Sequence, residues 1–145
     1  MKFQTSQVQH NRHNCPVAVM VTVHVKRGWV MGTIQDPAVF LAAQRVSLAQ
    51  FIVCQVHGVP VEEMRKPTRG RPHVARARQI AIHLARLVFA MTHRQLAQEF
   101  GRDRSTIHHA CGLIEEMRED SAEFDSTLRW MESLLRRAAG QKDQP

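Results

Sequence analysis

The sequence predicts a mainly α-helical bundle that contains a helix-turn-helix, preceded by a candidate N-terminal β-hairpin. Apolar residues recur at helical spacing from residue 37 to about residue 137. Within that stretch, a glycine separates two short helical patterns by a tight turn. Residues 17–25 instead alternate valine with other side chains, and this period of two is typical of a strand.

The first 36 residues are interpreted as an N-terminal extension of the bundle. Residues 1–14 are polar and without period, so we expect them to be disordered. The valine strand, residues 17–25, can turn back into a second strand, although an isolated hairpin is marginally stable and needs a partner. An alternative is that translation starts at Met20 or Met31, in which case this segment is not native.

The first helix is predicted to begin at Pro37, behind Asp36 as its cap, and to end before Gly58. Its apolar pattern consists of Phe40, Leu41, Leu48, Phe51, Ile52 and Val56. A short turn, residues 61–64, then leads into residues 65–72, which are called the basic loop below. Two prolines and a glycine exclude a regular helix in this loop.

A long helix is predicted from about His73 to Ala90 because its apolar residues share one face. That inward face consists of Ala77, Ile80, Ala81, Leu84, Leu87 and Val88. The opposite face carries Arg76, Gln79, His83 and Arg86. The long helix therefore offers a polar surface beside the basic loop.

The helix-turn-helix follows the long helix. Thr92 and Gln95 form a capping box that begins a short helix, and Gly101 ends it. Asp103 is predicted to cap the second helix. The inward residues of that helix are Ile107, Ala110, Cys111, Ile114 and Met117, and its outward residues are Arg104, Ser105, His108, His109 and Gly112.

A last helix closes the bundle, and its cap is predicted within residues 120–123. Its inward residues are Phe124, Leu128, Met131 and Leu135. We therefore expect the folded domain to span residues 37–137 and to be followed by a disordered tail, residues 138–145.

The charge distribution indicates a polyanion as partner. The formal net charge is +7, and residues 62–110 carry ten basic side chains against four acidic ones. Only four of the 20 basic residues are lysines. The planar guanidinium of arginine suits forked contacts to phosphate and guanine. A basic middle section of this kind predicts a nucleic-acid-binding face.

Several other classes of protein are not expected. No apolar stretch approaches the ~18 to 20 residues of a membrane span, and no signal peptide is recognisable, so we expect a cytoplasmic, nucleoid-associated protein without membrane contact. No glycine-rich phosphate loop is present, which argues against bound nucleotide or another cofactor. No nucleophile has a neighbouring base, so we expect no enzyme activity.

Metal and disulfide chemistry are not expected either. His10, His13 and Cys15 have a spacing compatible with metal ligands, but they lie in the polar start of the chain. The three cysteines are odd in number and widely spaced, and Cys54 and Cys111 fall within helical apolar patterns. They are interpreted as small hydrophobic residues rather than as a disulfide framework.

Two motifs resemble a known family. The segment VARARQIA, residues 74–81, resembles the V-x-R-P-R-Q-x-A start of the long helix in the C-terminal DNA-binding domain of the DnaA replication initiators. The segment FGRDRSTIHHA, residues 100–110, is similar to the signature F-G-G-R-D-H-T-T-V-L-H-A of the same domain. The resemblance covers about residues 46–137 and implies sequence-specific binding to double-stranded DNA.

The resemblance also implies which residues contact DNA. The major groove and its phosphates would be contacted by Asp103, Ser105, Thr106 and His109. Arg104, which the apolar pattern places on the outward face at the start of the same helix, is a further candidate contact. The backbone would be contacted by Arg78, Gln79 and Arg86, and Arg69 or Arg71 would enter the minor groove. The sequence departs from the family in three ways, because Arg104 replaces a histidine, one glycine is missing, and Gly112-Leu113 replaces a basic pair. We therefore expect a base preference that differs from that of the usual DnaA box.

The ATPase domain of full-length DnaA has no counterpart in the sequence. We expect a stand-alone DNA-binding protein: a competitor at DnaA boxes, a transcription regulator, or a factor from a mobile element. Either a second copy of the chain or a replication protein is a candidate partner. The alternative is a protein-interaction module whose valine strand adds to the sheet of a partner. Binding that weakens steeply with salt favours the DNA-binding hypothesis.

Overall fold

The structure is a computed structural model that describes residues 19–25, 28–34 and 37–140. The chain divides into two compact units between Pro37 and Ala38. Of the first unit, the structure describes strands β1 (Val19–Val25) and β2 (Gly28–Ile34), which pair in antiparallel register. Residues 1–14, which were predicted to be disordered, lie outside the described residues. The valine side chains of residues 17–25 also lie outside the described part of the structure.

The second unit consists of helices, as the sequence predicts. They are α1 (Pro37–His57), α2 (Val61–Arg65), α3 (Pro72–Phe89), α4 (His93–Phe100), α5 (Arg104–Asp120) and α6 (Ala122–Ala138). The basic loop joins α2 to α3, and a turn of three residues joins α4 to α5. This order confirms the mainly α-helical bundle with a helix-turn-helix.

Helix α3 lies at the centre of the bundle, because it packs against α2, α4, α5 and α6. Its buried arc is therefore wider than the single inward face that the sequence predicts. Ile82 and Ala85 are buried with the predicted stripe. Two assignments were wrong: His83, predicted to face outward, is only 3% exposed, and Leu87, predicted to face inward, is 44% exposed.

Helix α1 contributes to the core in part through the predicted residues. Leu48, Ile52 and Val56 pack against the core as partly buried side chains, and Val46, Ala49 and Val53 are buried beside them. The predicted apolar residues Phe40 and Phe51 are instead 40% and 54% exposed. The sequence does not distinguish these exposed positions from the buried ones, because α1 is apolar on nearly all sides.

The length of α1 corrects the expectation that no apolar stretch approaches the length of a membrane span. Among the described helices, the segment Ala38–His57 is long and apolar enough to cross a membrane, judged by length and composition alone. A core helix of a globular domain passes the same test. Because Val46, Ala49 and Val53 pack in the core of the bundle, the segment is weak evidence for a membrane span.

The ends of the helices follow the sequence signals in part. The Thr92 hydroxyl accepts a hydrogen bond from the Gln95 amide at 3.3 Å, and the Gln95 side chain accepts one from the Thr92 amide at 2.9 Å, which confirms the capping box. Gly101 ends α4 with a positive φ of 58°, a conformation that favours glycine. Asp103 occupies the N-cap position of α5, but its side chain makes no capping hydrogen bond, contrary to the prediction.

Candidate nucleic-acid interface

The first two turns of α5 present a polar surface to solvent. The exposed residues are Arg104, Ser105, Thr106, His108 and His109. On the other side of the same turns, Ile107 and Ala110 are buried against the bundle. Because buried and exposed residues alternate at helical spacing, packing on α3 and α4 fixes which side chains α5 presents.

The N-terminus of α5 is also open. The first intrahelical hydrogen bond joins the Ile107 amide to the Asp103 carbonyl, and the Asp103 side chain does not cap the helix. The amides before Ile107 therefore lie at a helix start that no side chain of the described residues caps. Such amides, together with the helix dipole, favour an anion. This end of α5 has the electrostatic character that a DNA phosphate requires.

Histidines line the junction of α4 and α5. The rings of His93 and His108 meet edge to face, with centroids 5.3 Å apart and an angle of 72° between the ring planes. Burial lowers the pKa of His93, and the positive charges of Arg86 and Arg104 act in the same direction. The neutral form of His93 is thus favoured where the two helices meet.

All three predicted backbone contacts lie on α3, and two of them have accessible side chains. Gln79 and Arg86 are both partly exposed. The Arg86 Nη1 atom lies 3.0 Å from the Glu115 Oε1 atom of α5. Arg86 is therefore within reach of the exposed side of α5, but a carboxylate holds its guanidinium there.

The basic loop carries the predicted minor-groove arginines. Arg69 and Arg71 are both exposed, and neither side chain has an ion-pair partner within the described part of the chain. Gly70, between them, has a φ of +72°. This left-handed residue turns the chain just before Arg71, which occupies the N-cap position of α3.

Arg78 is not part of this exposed set. It is 6% exposed, and its guanidinium donates hydrogen bonds to backbone carbonyls of the α2 end and the basic loop, among them those of Met64 at 2.8 Å and Arg69 at 3.2 Å. Burial lowers the pKa of Arg78, and the nearby positive charge of Arg102 adds to this effect. The structure thus places Arg78 beneath the basic loop, with its donors already engaged.

A known protein family matches the part of the chain that carries these residues. Residues 46–114 match the family model described as the helix-turn-helix of the bacterial DnaA protein. The matched segment runs from the buried part of α1 through the basic loop and α3 to the exposed face of α5. The chain carries a DnaA-type helix-turn-helix domain.

Individual DnaA proteins give the same result. The chain is 32% identical over 95 residues to the chromosomal replication initiator protein DnaA of Caldanaerobacter subterraneus subsp. tengcongensis, an alignment that covers 66% of this chain and 20% of the relative. It is 34% identical over 87 residues to DnaA of Acinetobacter baumannii, which covers 59% and 18%, respectively. The corresponding values for DnaA of Laribacter hongkongensis are 32% over 88 residues, 60% and 18%. The chain thus spans about a fifth of the length of these relatives.

Two departures from the DnaA pattern fall on the exposed face of α5. Arg104 stands where the family signature has histidine, and its side chain is exposed at the start of the helix. Gly112 stands where the family has a basic residue, and a Cβ atom added there would meet nothing within 4 Å. Compared with the family pattern, the exposed face of α5 therefore gains a fixed positive charge at Arg104 and lacks one at Gly112.

The contacts of Arg102, in the turn of the DnaA-type helix-turn-helix, were not predicted from the sequence. Its guanidinium donates to the carbonyls of Lys66 at 2.7 Å and Thr68 at 3.2 Å, and also to that of Pro67. An arginine directly after the glycine that ends α4 was the available sequence signal. The partner could not be predicted, because 34 to 36 residues separate the two segments.

The part of the chain that the structure describes contains no cluster of metal-binding side chains. No cluster of three or more histidine, cysteine, aspartate or glutamate residues there could hold a metal ion. The candidate ligands His10, His13 and Cys15 lie outside the described residues. Cys54 and Cys111 are free and buried, and burial raises the pKa of both thiols.

Proposed function

We propose that this protein binds double-stranded DNA sequence-specifically at sites similar to the DnaA box. The observation that carries the proposal is the exposed polar start of α5, which lies beside the basic loop. Two arginines of this loop are exposed and have no ion-pair partner among the described residues. A helix of this kind fits the major groove, and an arginine-containing arm fits the minor groove. The DnaA-type domain supports the same mode of binding.

In this proposal the start of α5 reads bases. Ser105, Thr106 and His109 are short or planar polar side chains that can reach base edges, and Arg104 can donate two hydrogen bonds to a guanine. The open amides of the helix start bind a phosphate at the wall of the groove. Asp103, at the cap position of the same helix, is a further contact to the groove. A different preferred base is expected at the position that Arg104 contacts.

Phosphate contacts along α3 and the basic loop fix the register of the protein on the duplex. Gln79 donates from its side-chain amide, and Arg86 donates once it leaves Glu115. Arg69 or Arg71 enters the minor groove, where its charge and length suit the negative potential of a narrow groove.

The proposed role is regulation of replication initiation or of transcription, on the nucleoid in the cytoplasm. The support for a link to replication is that the similar proteins are chromosomal replication initiators. The proposed activity includes neither a catalytic step nor a nucleotide. ATP is therefore expected to change the affinity for DNA only as far as any competing polyanion does.

Selection of bound sites from random duplex DNA tests the proposal directly. We expect enrichment of one short motif, and an affinity for it at least ~1,000-fold higher than for random duplex. Affinity for the selected site should fall steeply as salt rises. No enriched motif, together with binding that hardly depends on salt, would contradict the proposal and favour strand addition to a protein partner instead.

A double substitution tests the part assigned to the basic loop. Replacing both Arg69 and Arg71 by alanine should reduce the log–log salt slope by up to ~2, because two phosphate-neutralising charges are lost. The matched control replaces Arg136 and Arg137, in the last turn of α6, by alanine and so removes the same charge. If both double variants change the slope equally, the loop has no specific role.

A further inference from the structure

We infer that Arg78 and Arg102 form a clamp that holds the basic loop in one conformation against the helix-turn-helix, and that neither side chain touches DNA. They are positioning residues for the arginines of the loop. The consequence for DNA binding rests on the proposed function, whereas the ordering of the loop is a property of the free protein. The two parts can therefore be tested separately.

Arg78 forms the inner half of the clamp. From its buried position on α3, its Nε atom donates to the Met64 carbonyl at 2.8 Å. Its Nη1 atom lies 3.3 Å and 3.2 Å from the carbonyls of Thr68 and Arg69. Its Nη2 atom reaches two more carbonyls, at 3.2 Å and 3.4 Å. One guanidinium thus spans the chain from the end of α2 to the middle of the loop.

Arg102 forms the outer half of the clamp. It lies in the turn between α4 and α5, and it donates to the carbonyls of three consecutive loop residues, Lys66, Pro67 and Thr68. The carbonyls of Lys66 and Thr68 accept from Arg78 as well. The loop backbone therefore lies between two guanidinium groups, one from the long helix and one from the helix-turn-helix.

The loop needs this support because its own backbone supplies little. Pro67 and Pro72 have no N–H to donate. Apart from the turn at the end of α2, where Lys66 donates to Glu63, the backbone of residues 67–70 takes part in no described backbone hydrogen bond. The two guanidinium groups therefore donate the hydrogen bonds that the loop carbonyls accept. Without these hydrogen bonds the carbonyls would be solvated and the loop backbone could adopt many conformations.

Charge shows that the clamp is not an ordinary ion pair. Neither Arg78 nor Arg102 has a carboxylate partner among the described residues, so two like charges approach each other around a neutral backbone. The carbonyl dipoles of the loop offset this repulsion. With the carbonyls turned toward the two guanidinium groups, the side chains of Arg69 and Arg71 are left exposed.

The clamp couples the two DNA-binding elements. Arg102 follows Gly101 directly and precedes the cap position of α5. Its hydrogen bonds to the loop backbone therefore hold the loop in place relative to α5. A loop that is already ordered loses less conformational entropy on binding, and its arginines meet the minor groove while α5 meets the major groove. Loss of the clamp should therefore weaken binding although no DNA contact is removed.

Trypsin cleavage of the free protein tests the clamp without DNA. The reporter is the Arg69–Gly70 bond, because prolines follow Lys66 and Arg71 and protect those two sites from trypsin. Arg102→Lys and Arg102→Gln should both speed cleavage at this bond several-fold, since a lysine cannot reach three carbonyls with a planar fork. The control is Arg137→Gln on α6, which should leave the rate unchanged.

DNA binding then distinguishes positioning from direct contact. Arg102→Lys should weaken specific binding about tenfold, nearly as much as Arg102→Gln, although lysine keeps the charge. In the background of Arg69→Ala and Arg71→Ala, the same substitution should have little further effect, because residues that act as a unit are not additive. Additive losses, with full rescue by lysine, would mean that Arg102 contacts phosphate itself.

The outcomes separate the clamp from the proposed function. Unchanged cleavage at Arg69–Gly70 in folded Arg102→Gln, with the fold verified by circular dichroism, would overturn the clamp even if the protein binds DNA. Faster cleavage in a protein that selects no DNA site would support the clamp and contradict the proposed function. The buried Arg78 is left intact in these experiments, because its loss is expected to destabilise the fold.

Discussion

Arg86 of α3 and Glu115 of α5 form an ion pair, with the Nη1 and Oε1 atoms 3.0 Å apart. Their side chains are 41% and 53% exposed, so the pair contributes at most about 1 kcal/mol to stability. Its location matters more than its strength. Glu115 lies two helical turns after His108, on the same side of α5, and places a negative charge beside an arginine that is proposed to contact DNA.

Replacing Glu115 by glutamine should therefore increase the affinity for DNA. Arg86 is released and one repulsive charge is removed, so we expect roughly two- to tenfold tighter binding at ~0.15 M salt and a salt slope that is steeper by up to ~1. Titration of a labelled duplex at several salt concentrations measures both. The control Glu119→Gln removes the same charge one turn further along α5, and an equal gain there would show that only net charge matters.

Thr106→Ala should separate specific from non-specific binding. Because Thr106 is exposed at the start of α5, its loss should weaken binding to the selected site by ~1 to 3 kcal/mol and leave binding to random duplex nearly intact. Competition titrations with both duplexes measure the difference. Thr127→Ala, at an exposed position of α6, is the control. Equal losses on the two duplexes would assign Thr106 to the phosphate backbone or to folding.

The parts of the fold that could be predicted are those in which a local pattern decides. The apolar spacing of α5 and α6 selects one face, and the capping box at Thr92 and the glycine at residue 101 define the ends of α4. Helix α1 could not be predicted to the same depth, because a helix that is apolar on nearly all sides has no preferred face until its neighbours are known.

The arginines illustrate the same limit for the candidate site. Arg78 and Arg102 are both basic residues within motifs of the family, and the sequence alone does not distinguish a phosphate contact from a structural role. One signal was present for Arg78, because it lies three residues before buried Ala81 and four before buried Ile82, on the inward side of α3. The reach of a long side chain to a distant loop depends on tertiary structure.

Gly112→Ala should stabilise the protein. Gly112 lies in the interior of α5 and has an ordinary helical conformation, and an added Cβ atom would meet nothing within 4 Å. Glycine in a helix interior costs about 0.5–1 kcal/mol relative to alanine, so the free energy of unfolding should rise by that amount. Urea unfolding followed by circular dichroism measures the change. A loss of stability would mean that a side chain at position 112 meets a neighbouring group in solution, contrary to the structure.

His83 should make folding sensitive to acid. The residue is 3% exposed, and within the described part of the chain neither ring nitrogen has a hydrogen-bond partner. Burial lowers the pKa of His83, Arg118 and Arg86 act in the same direction, and Glu115 opposes them. The unfolded chain, with a histidine pKa of about 6.5, therefore binds a proton more readily than the folded one. Stability should fall as the pH drops below ~6.5, by up to about 1.4 kcal/mol per pH unit from this group.

His83→Met should remove that part of the pH dependence. Methionine fills a similar space without a titratable group, so the variant should be about as stable as the original protein at pH 8 and more stable at pH 5. Urea unfolding between pH 5 and pH 8 gives the slope for both proteins, and the difference should approach one proton. Because burial of His83 causes the effect, parallel curves for the two proteins would show that its ring reaches solvent or a partner in solution and is not held neutral by the core.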